Sequence, residues 1–164
     1  AGLKTHQEIL FTLVRHMSRY PVFDCRDFIE QWLKRDFFNY FMGFNGHPVR
    51  HSAFLTGKNR IDFSPCFSCY PSFISGEERQ CRWQNAEDEN GIRWLSVCEQ
   101  LANLFPQYCK ADVLLWRLMD MADRFVRYIE RYPDLKLPSS IAQHLDLAGF
   151  KQRFILGGVY EEGS

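Results

Sequence analysis

Apolar residues in the first forty or so positions recur three and four apart, the period that gathers side chains on one face of an α-helix. Ile9, Leu10, Leu13, Val14 and Met17 follow it first. Thr5-His6-Gln7-Glu8 stands just ahead in the form of a capping box, where the Thr hydroxyl and the Glu carboxylate satisfy amides that a helix start leaves without partners. The pattern predicts a helix from about Leu3 to Tyr20, ended by Pro21, which disfavours helical backbone at the preceding residue. Asp24 then takes the N-cap position of a second helix, about Cys25 to Phe44. Its face is heavily aromatic, through Phe28, Ile29, Trp32, Leu33, Phe37 and Phe41.

From Asn45 to about Gln84 the helical period disappears, and Gly, Pro, Asn and Ser cluster instead. Only Arg60-Ile61-Asp62-Phe63 alternates polar and apolar, compatible with one short strand. The helical spacing resumes with Ile92, Leu95, Cys98, Leu101, Ala102 and Phe105, and Pro106 closes that segment. A longer helix is predicted from about Tyr108 to Tyr132. Val113, Leu114, Leu118, Met121, Ala122, Phe125 and Ile129 mark its apolar stripe, with Arg117, Asp120, Asp123, Arg124, Arg127 and Glu130 largely off it. Beyond Pro133, Ser140-Ile141-Ala142-Gln143 forms a second capping box and predicts a short helix to about Leu147. The expected fold is therefore mainly α: one domain over 1–164, a bundle of about five helices interrupted by an irregular loop at about 45–84.

Composition narrows the function classes. The 164 residues carry 20 basic and 20 acidic side chains, with 15 Phe, 7 Tyr and 4 Trp. A disordered chain is poor in aromatics and strongly charged, so this one is expected to fold. Net charge +0 lacks the basic footprint of non-specific binding to nucleic acid, which is not favoured as a partner. Arg15, Lys34, Arg35, Arg117 and Arg124 interrupt every apolar stretch well short of the ~18 residues of a spanning helix, so no membrane span is expected. The chain opens Ala1-Gly2-Leu3 rather than on an initiator Met and reads as a processed product or an internal fragment.

The candidate chemistry lies in the irregular loop. His47 and His51 precede Cys66-Phe67-Ser68-Cys69, and Cys81 follows. A Cys-x-x-Cys pair sets two thiolates on one turn where both reach a Zn²⁺, and two of His47, His51 and Cys81 would complete a tetrahedron. Such an ion would also tether a loop too long to be structureless in a compact domain. Reduced core thiols and disulfides are the competing readings of the same cysteines; Cys98 and Cys109, on or beside predicted helices, read as buried thiols. A cytoplasmic location follows from reduced or metal-bound cysteines, a secreted one from disulfides.

Pro65-Cys66-Phe67-Ser68-Cys69 resembles the Pro-Cys-x-x-Cys half of the zinc-dependent cytidine and adenosine deaminases. The resemblance covers under about twenty residues. It implies that His51 joins the two thiolates on the metal and that position 53 carries a proton-shuttling Glu; here it is Ala53. Only eleven residues separate Ala53 from Pro65, fewer than the helix and strand that connect the two motifs in that family.

Nucleotide-binding glycine loops, His-Glu-x-x-His and Gly-x-Ser-x-Gly are absent, which lowers the expectation of an enzyme. Glu77, Glu78, Glu87, Asp88 and Glu89 read as a solvated acidic run. The Lys34 to Tyr40 stretch mixes bases with aromatics, and its spacing assigns Phe37 to a core rather than to stacking on nucleobases. Ser139 to Phe154 carries a faint helix-turn-helix pattern. The leading expectation is a non-catalytic protein-binding module, a regulator, inhibitor, immunity-type neutraliser or adaptor with a structural zinc site and another protein as partner, because a chain rich in Phe, Trp, Tyr and Arg has the residue types that supply hot-spot contacts. The alternatives are a deaminase-like zinc protein lacking its Glu, and a helix-turn-helix regulator.

Overall fold

Thr5 opens the first helix as its sequence foretells. The Thr5 side chain accepts from the Glu8 amide and Glu8 accepts from the Thr5 amide, starting α1 at His6–Met17. In this computed structural model the described residues are 5–65 and 78–131. Asp24 accepts from the Asp27 amide to cap α2, Cys25–Met42, which ends where Gly43 turns left-handed at φ 68. Then come two hairpins. β1 (Phe54–Thr56) pairs antiparallel with β2 (Ile61–Phe63), and β3 (Glu87–Asp88) pairs antiparallel with β4 (Gly91–Ile92). α3 (Trp94–Leu104) and α4 (Ala111–Glu130) complete the described chain.

The expectation of a mainly α bundle of about five helices is corrected. Among the described residues there are four helices and two small two-stranded antiparallel sheets, a mixed architecture. Part of the irregular loop becomes β1 and β2 because Phe54 and Phe63 face each other across the ladder and both pack on Phe28 of α2. Ile92 belongs to β4 and not to the following helix. The segment expected to form a short helix after Ser140 lies outside the described residues.

α2 is the central element, packed by α1, α4 and β2, while α3 lies along α4. Its buried residues Phe28, Ile29, Trp32, Leu33, Phe37 and Phe41 are those the spacing placed on one face. Phe37 meets Phe41 at 4.7 Å and Trp94 of α3 at 4.9 Å between ring centroids, both edge to face, the arrangement that aligns ring edge with ring face. Phe28 and Trp32 carry the same packing to β2, with Trp32 stacked 6.1 Å from Phe63. On α4, Leu114, Leu118 and Ala122 are buried as expected; Val113, assigned to the same stripe, is 46% exposed. It lies one residue before Leu114 and so about 100° around the helix, outside the sector that α2 and α3 cover.

Candidate functional site

Two places in the fold differ from an ordinary core or an ordinary surface. The first is a buried polar cluster where the apolar stripes of α1 and α2 meet. His6 begins the α1 stripe and is fully buried; Asp36 falls on the α2 stripe between Leu33 and Phe37 and is buried too. A charged group in that position is costly unless paired and hydrogen-bonded. Arg79 supplies the pairing: its Nη2 donates to Asp36 Oδ2 at 2.5 Å, and its Nε donates to Glu87 Oε1 at 2.8 Å. Trp83 adds its indole N–H to Asp36 Oδ2 at 2.7 Å and its amide to Glu87 Oε2 at 2.9 Å.

His6 is neutral in this setting. Trp32 Nε1 donates to His6 Nδ1 at 3.1 Å, and an indole nitrogen only donates, so Nδ1 holds a lone pair and the proton sits on Nε2. Nε2 faces Asp36 Oδ1 at 3.3 Å, with the Cys81 backbone as a further acceptor. Burial, reinforced by the Arg79 charge, lowers the imidazole pKa to about 4 against the pull of Asp36. Trp83 stacks on one face of the ring at 4.5 Å and 14°.

Burial alone would push the Asp36 carboxyl up, but the Arg79 charge and the hydrogen bonds from Arg79 and Trp83 hold it below the ordinary carboxylate value. Glu87 ends above its ordinary value, because burial outweighs Arg79 and the Trp83 amide. Arg79 stays charged: its two carboxylates more than offset its burial. The cluster thus joins α1, α2 and the 78–92 segment through a compensated charge set whose polar atoms are spent on one another. Glu87 corrects the expectation of a wholly solvated acidic run. Its side chain is 6% exposed, while Glu78, Asp88 and Glu89 do lie at the surface; Glu77 lies outside the described residues.

The second place is the outer face of α4. Trp116 is 57% exposed and Val113 46%, one turn apart, and the Arg117 guanidinium lies 5.0 Å from the Trp116 ring centroid. Tyr128, 60% exposed, stands further along the same helix.

The zinc candidates are distributed as follows. Cys66 and Cys69 lie outside the described residues. His47 and His51 share the turn after α2; His47 Nδ1 accepts from the Val49 amide at 3.3 Å, and the His51 ring packs against Gly46 so closely that a Cβ there would lie 2.7 Å from Nε2. Burial, with Arg50 and His51 nearby, lowers the His47 pKa and favours the neutral imidazole that a metal requires. Cys81 stands apart in chemistry. Burial and the Asp36 charge push its thiol up to about 12, so without a metal bound it is protonated. Among the described residues no three His, Cys, Asp or Glu side chains converge on a point that suits a metal ion. Cys25, Cys81, Cys98 and Cys109 form no disulfide with one another, and Cys98, fully buried, is pushed up to about 12 by that burial.

Ala53 is exposed, and the span from Ala53 to Ser64 is closed by the Ser64 amide donating to the Ala53 carbonyl at 2.9 Å. The eleven residues that separate the two halves of the deaminase-like motif are thus taken up by the β1–β2 hairpin. The helix-turn-helix pattern at 139–154 lies outside the described residues. No helix of the described residues is long and apolar enough to cross a membrane. Comparison with protein-family models, curated proteins and solved structures gives no match, so the functional reading rests on the geometry above.

Proposed function

We propose that the chain is a non-catalytic protein-binding module of the regulator, inhibitor or adaptor kind, and that α4 engages the partner. The observation that carries this reading is Trp116. More than half of this indole is in water, with Val113 beside it and Arg117 against its ring. Exposing so large an apolar surface forfeits burial worth roughly 25 cal/mol per Å². Trp and Arg are also the residues that most often dominate binding energy at the centre of an interface. The buried His6 cluster supports the non-catalytic part, since its hydrogen bonds hold three segments of the fold together and its imidazole is stacked by one indole and hydrogen-bonded by another. In the same reading a structural zinc ion on Cys66 and Cys69, completed by two of His47, His51 and Cys81, organises the 45–84 segment; the Cys-x-x-Cys spacing and the single turn that carries both His47 and His51 support it.

The test is a photo-crosslinking residue at position 113 of the full chain, with position 58 in the β1–β2 turn as control. A partner captured at 113 and not at 58, whose Kd then weakens about tenfold or more on Trp116→Ala, is the expected result. Equal capture at both positions, or a Kd indifferent to Trp116→Ala, would overturn the reading.

A further inference from the structure

Two depressions in the surface share a wall. One, of about 350 Å³, lies between the start of α2 and the loop entering α4, bordered by Arg26, Glu30, Tyr108, Cys109, Lys110 and Val113. The other, of about 630 Å³, is bordered by Tyr20, Val22, Asp24 and Asn59 and again by Arg26 and Tyr108. The two depressions therefore lie side by side across Arg26 and Tyr108 and together make up one groove, with the exposed Tyr20, Val22 and Val113 at its edges. Its Val113 end continues into the Trp116 face.

The charges along this groove are unevenly compensated. Glu30 is neutralised twice, by Lys34 Nζ at 2.5 Å and Arg117 Nε at 3.4 Å. Asp24 spends its carboxylate on the α2 cap. Arg26 and Lys110 have no carboxylate partner among the described residues; Arg26 instead donates from Nε to the Tyr108 carbonyl at 3.1 Å, which pins its guanidinium at the junction of the two depressions. A guanidinium held in place loses less freedom on meeting a carboxylate, and it offers a fork that a carboxylate matches.

We infer that this groove docks a short acidic segment of a partner protein, with an apolar side chain against Tyr108 and Val113 and carboxylates on Arg26 and Lys110. The inference deepens the protein-binding reading and rests on it. The smaller depression, near the low end of the roughly 300–1,000 Å³ of ligand pockets, takes one or two side chains and not a folded element. Arg26 and Lys110 are the two basic side chains on these walls, a match for one or two carboxylates and too few for a polyanion.

Random peptides of about 12 residues displayed on phage and selected against the full chain supply the probe. The peptides enriched are expected to combine Asp or Glu with an aromatic or aliphatic residue. A synthetic copy should lose about tenfold or more in affinity on Arg26→Glu and on Lys110→Glu, and keep it on Lys58→Glu. Arg26 and Lys110 are exposed, so unchanged melting temperatures for both variants separate lost docking from lost folding. Enriched peptides without acidic residues, an affinity indifferent to both reversals, or no enrichment overturns the inference. So does heparin binding more tightly through the same two residues. If crosslinking at position 113 still captures a partner while the charge reversals have no effect, the protein-binding reading stands and the acidic groove falls.

Discussion

Trp32 donates its indole N–H to His6 Nδ1 at 3.1 Å inside the core, and that bond decides where the imidazole proton sits. An imidazolium would set N–H against N–H at this point. The His6 ring is therefore a neutral relay from Trp32 to Asp36, and Asp36 is the centre on which Arg79 and Trp83 also converge.

Removing that centre should be severe. Asp36→Ala leaves the Arg79 guanidinium buried beside a lost carboxylate, and breaking one side of a buried ion pair costs about 3–5 kcal/mol. Denaturant unfolding of the full chain measures it. A loss below about 1 kcal/mol would mean that the cluster is hydrated and contributes little.

Acid should weaken the fold in a defined window. His6 takes up a proton near 6.5 when unfolded but only near pH 4 when folded, so the unfolded chain gains protons first as pH falls through that interval. Stability is fully present above about 6.5 and declines towards pH 4 by on the order of 3 kcal/mol. Asp36, held below its ordinary value, adds a further loss as pH falls through its folded pKa, and Glu87, raised above its own, opposes both. In His6→Gln the side-chain oxygen can accept from Trp32 and the amide can donate to Asp36, so the slope between pH 6.5 and 4 should flatten. Tryptophan fluorescence during urea titration at several pH values follows this directly.

Gly91 should resist substitution. Its φ is 122, a region that L side chains rarely adopt, and a Cβ there would meet Tyr40 Oη at 2.6 Å. Gly91→Ala is expected to cost about 1–3 kcal/mol, read as a lowered Tm, whereas a Cβ at Gly57 in the β1–β2 turn makes only an ordinary contact with Arg60 Cγ at 3.5 Å, so Gly57→Ala should cost less.

Trp116→Ala separates surface from core. The residue is 57% exposed, so stability should stay within about 0.5 kcal/mol of the parent chain while partner affinity falls about tenfold or more. A large loss of stability would assign Trp116 to packing instead.

Metal content divides the ligand candidates. The zinc reading expects about one ion per chain by elemental analysis, abolished in Cys66→Ser and Cys69→Ser and weakened in His47→Ala and His51→Ala. Cys81→Ala sorts the remaining ligands: unchanged content assigns them to His47 and His51, and lowered content assigns one to Cys81. A metal-free parent chain would remove zinc from the proposal.

The sequence by itself determined the local elements. The Thr5 to Glu8 capping box, the Asp24 cap, the α2 stripe and the buried side of α4 were legible because caps and helical periodicity act over three or four residues. The same stripes held a further signal: His6 and Asp36 occupy apolar-face positions, where a polar residue needs a buried partner. Which partners, only the tertiary structure decided. Arg79 lies 43 residues from Asp36 in a segment without regular period, and Glu87 looks from sequence like its exposed neighbours Asp88 and Glu89. The β1–β2 hairpin, three residues a strand, needed Phe28 and Trp32 as the surface on which Phe54 and Phe63 could pack half-buried. Val113 passed for core because its spacing says only that it borders the stripe; α2 and α3 set where the covered sector ends. Pairing across the chain depends on which surfaces meet, and no local pattern encodes that.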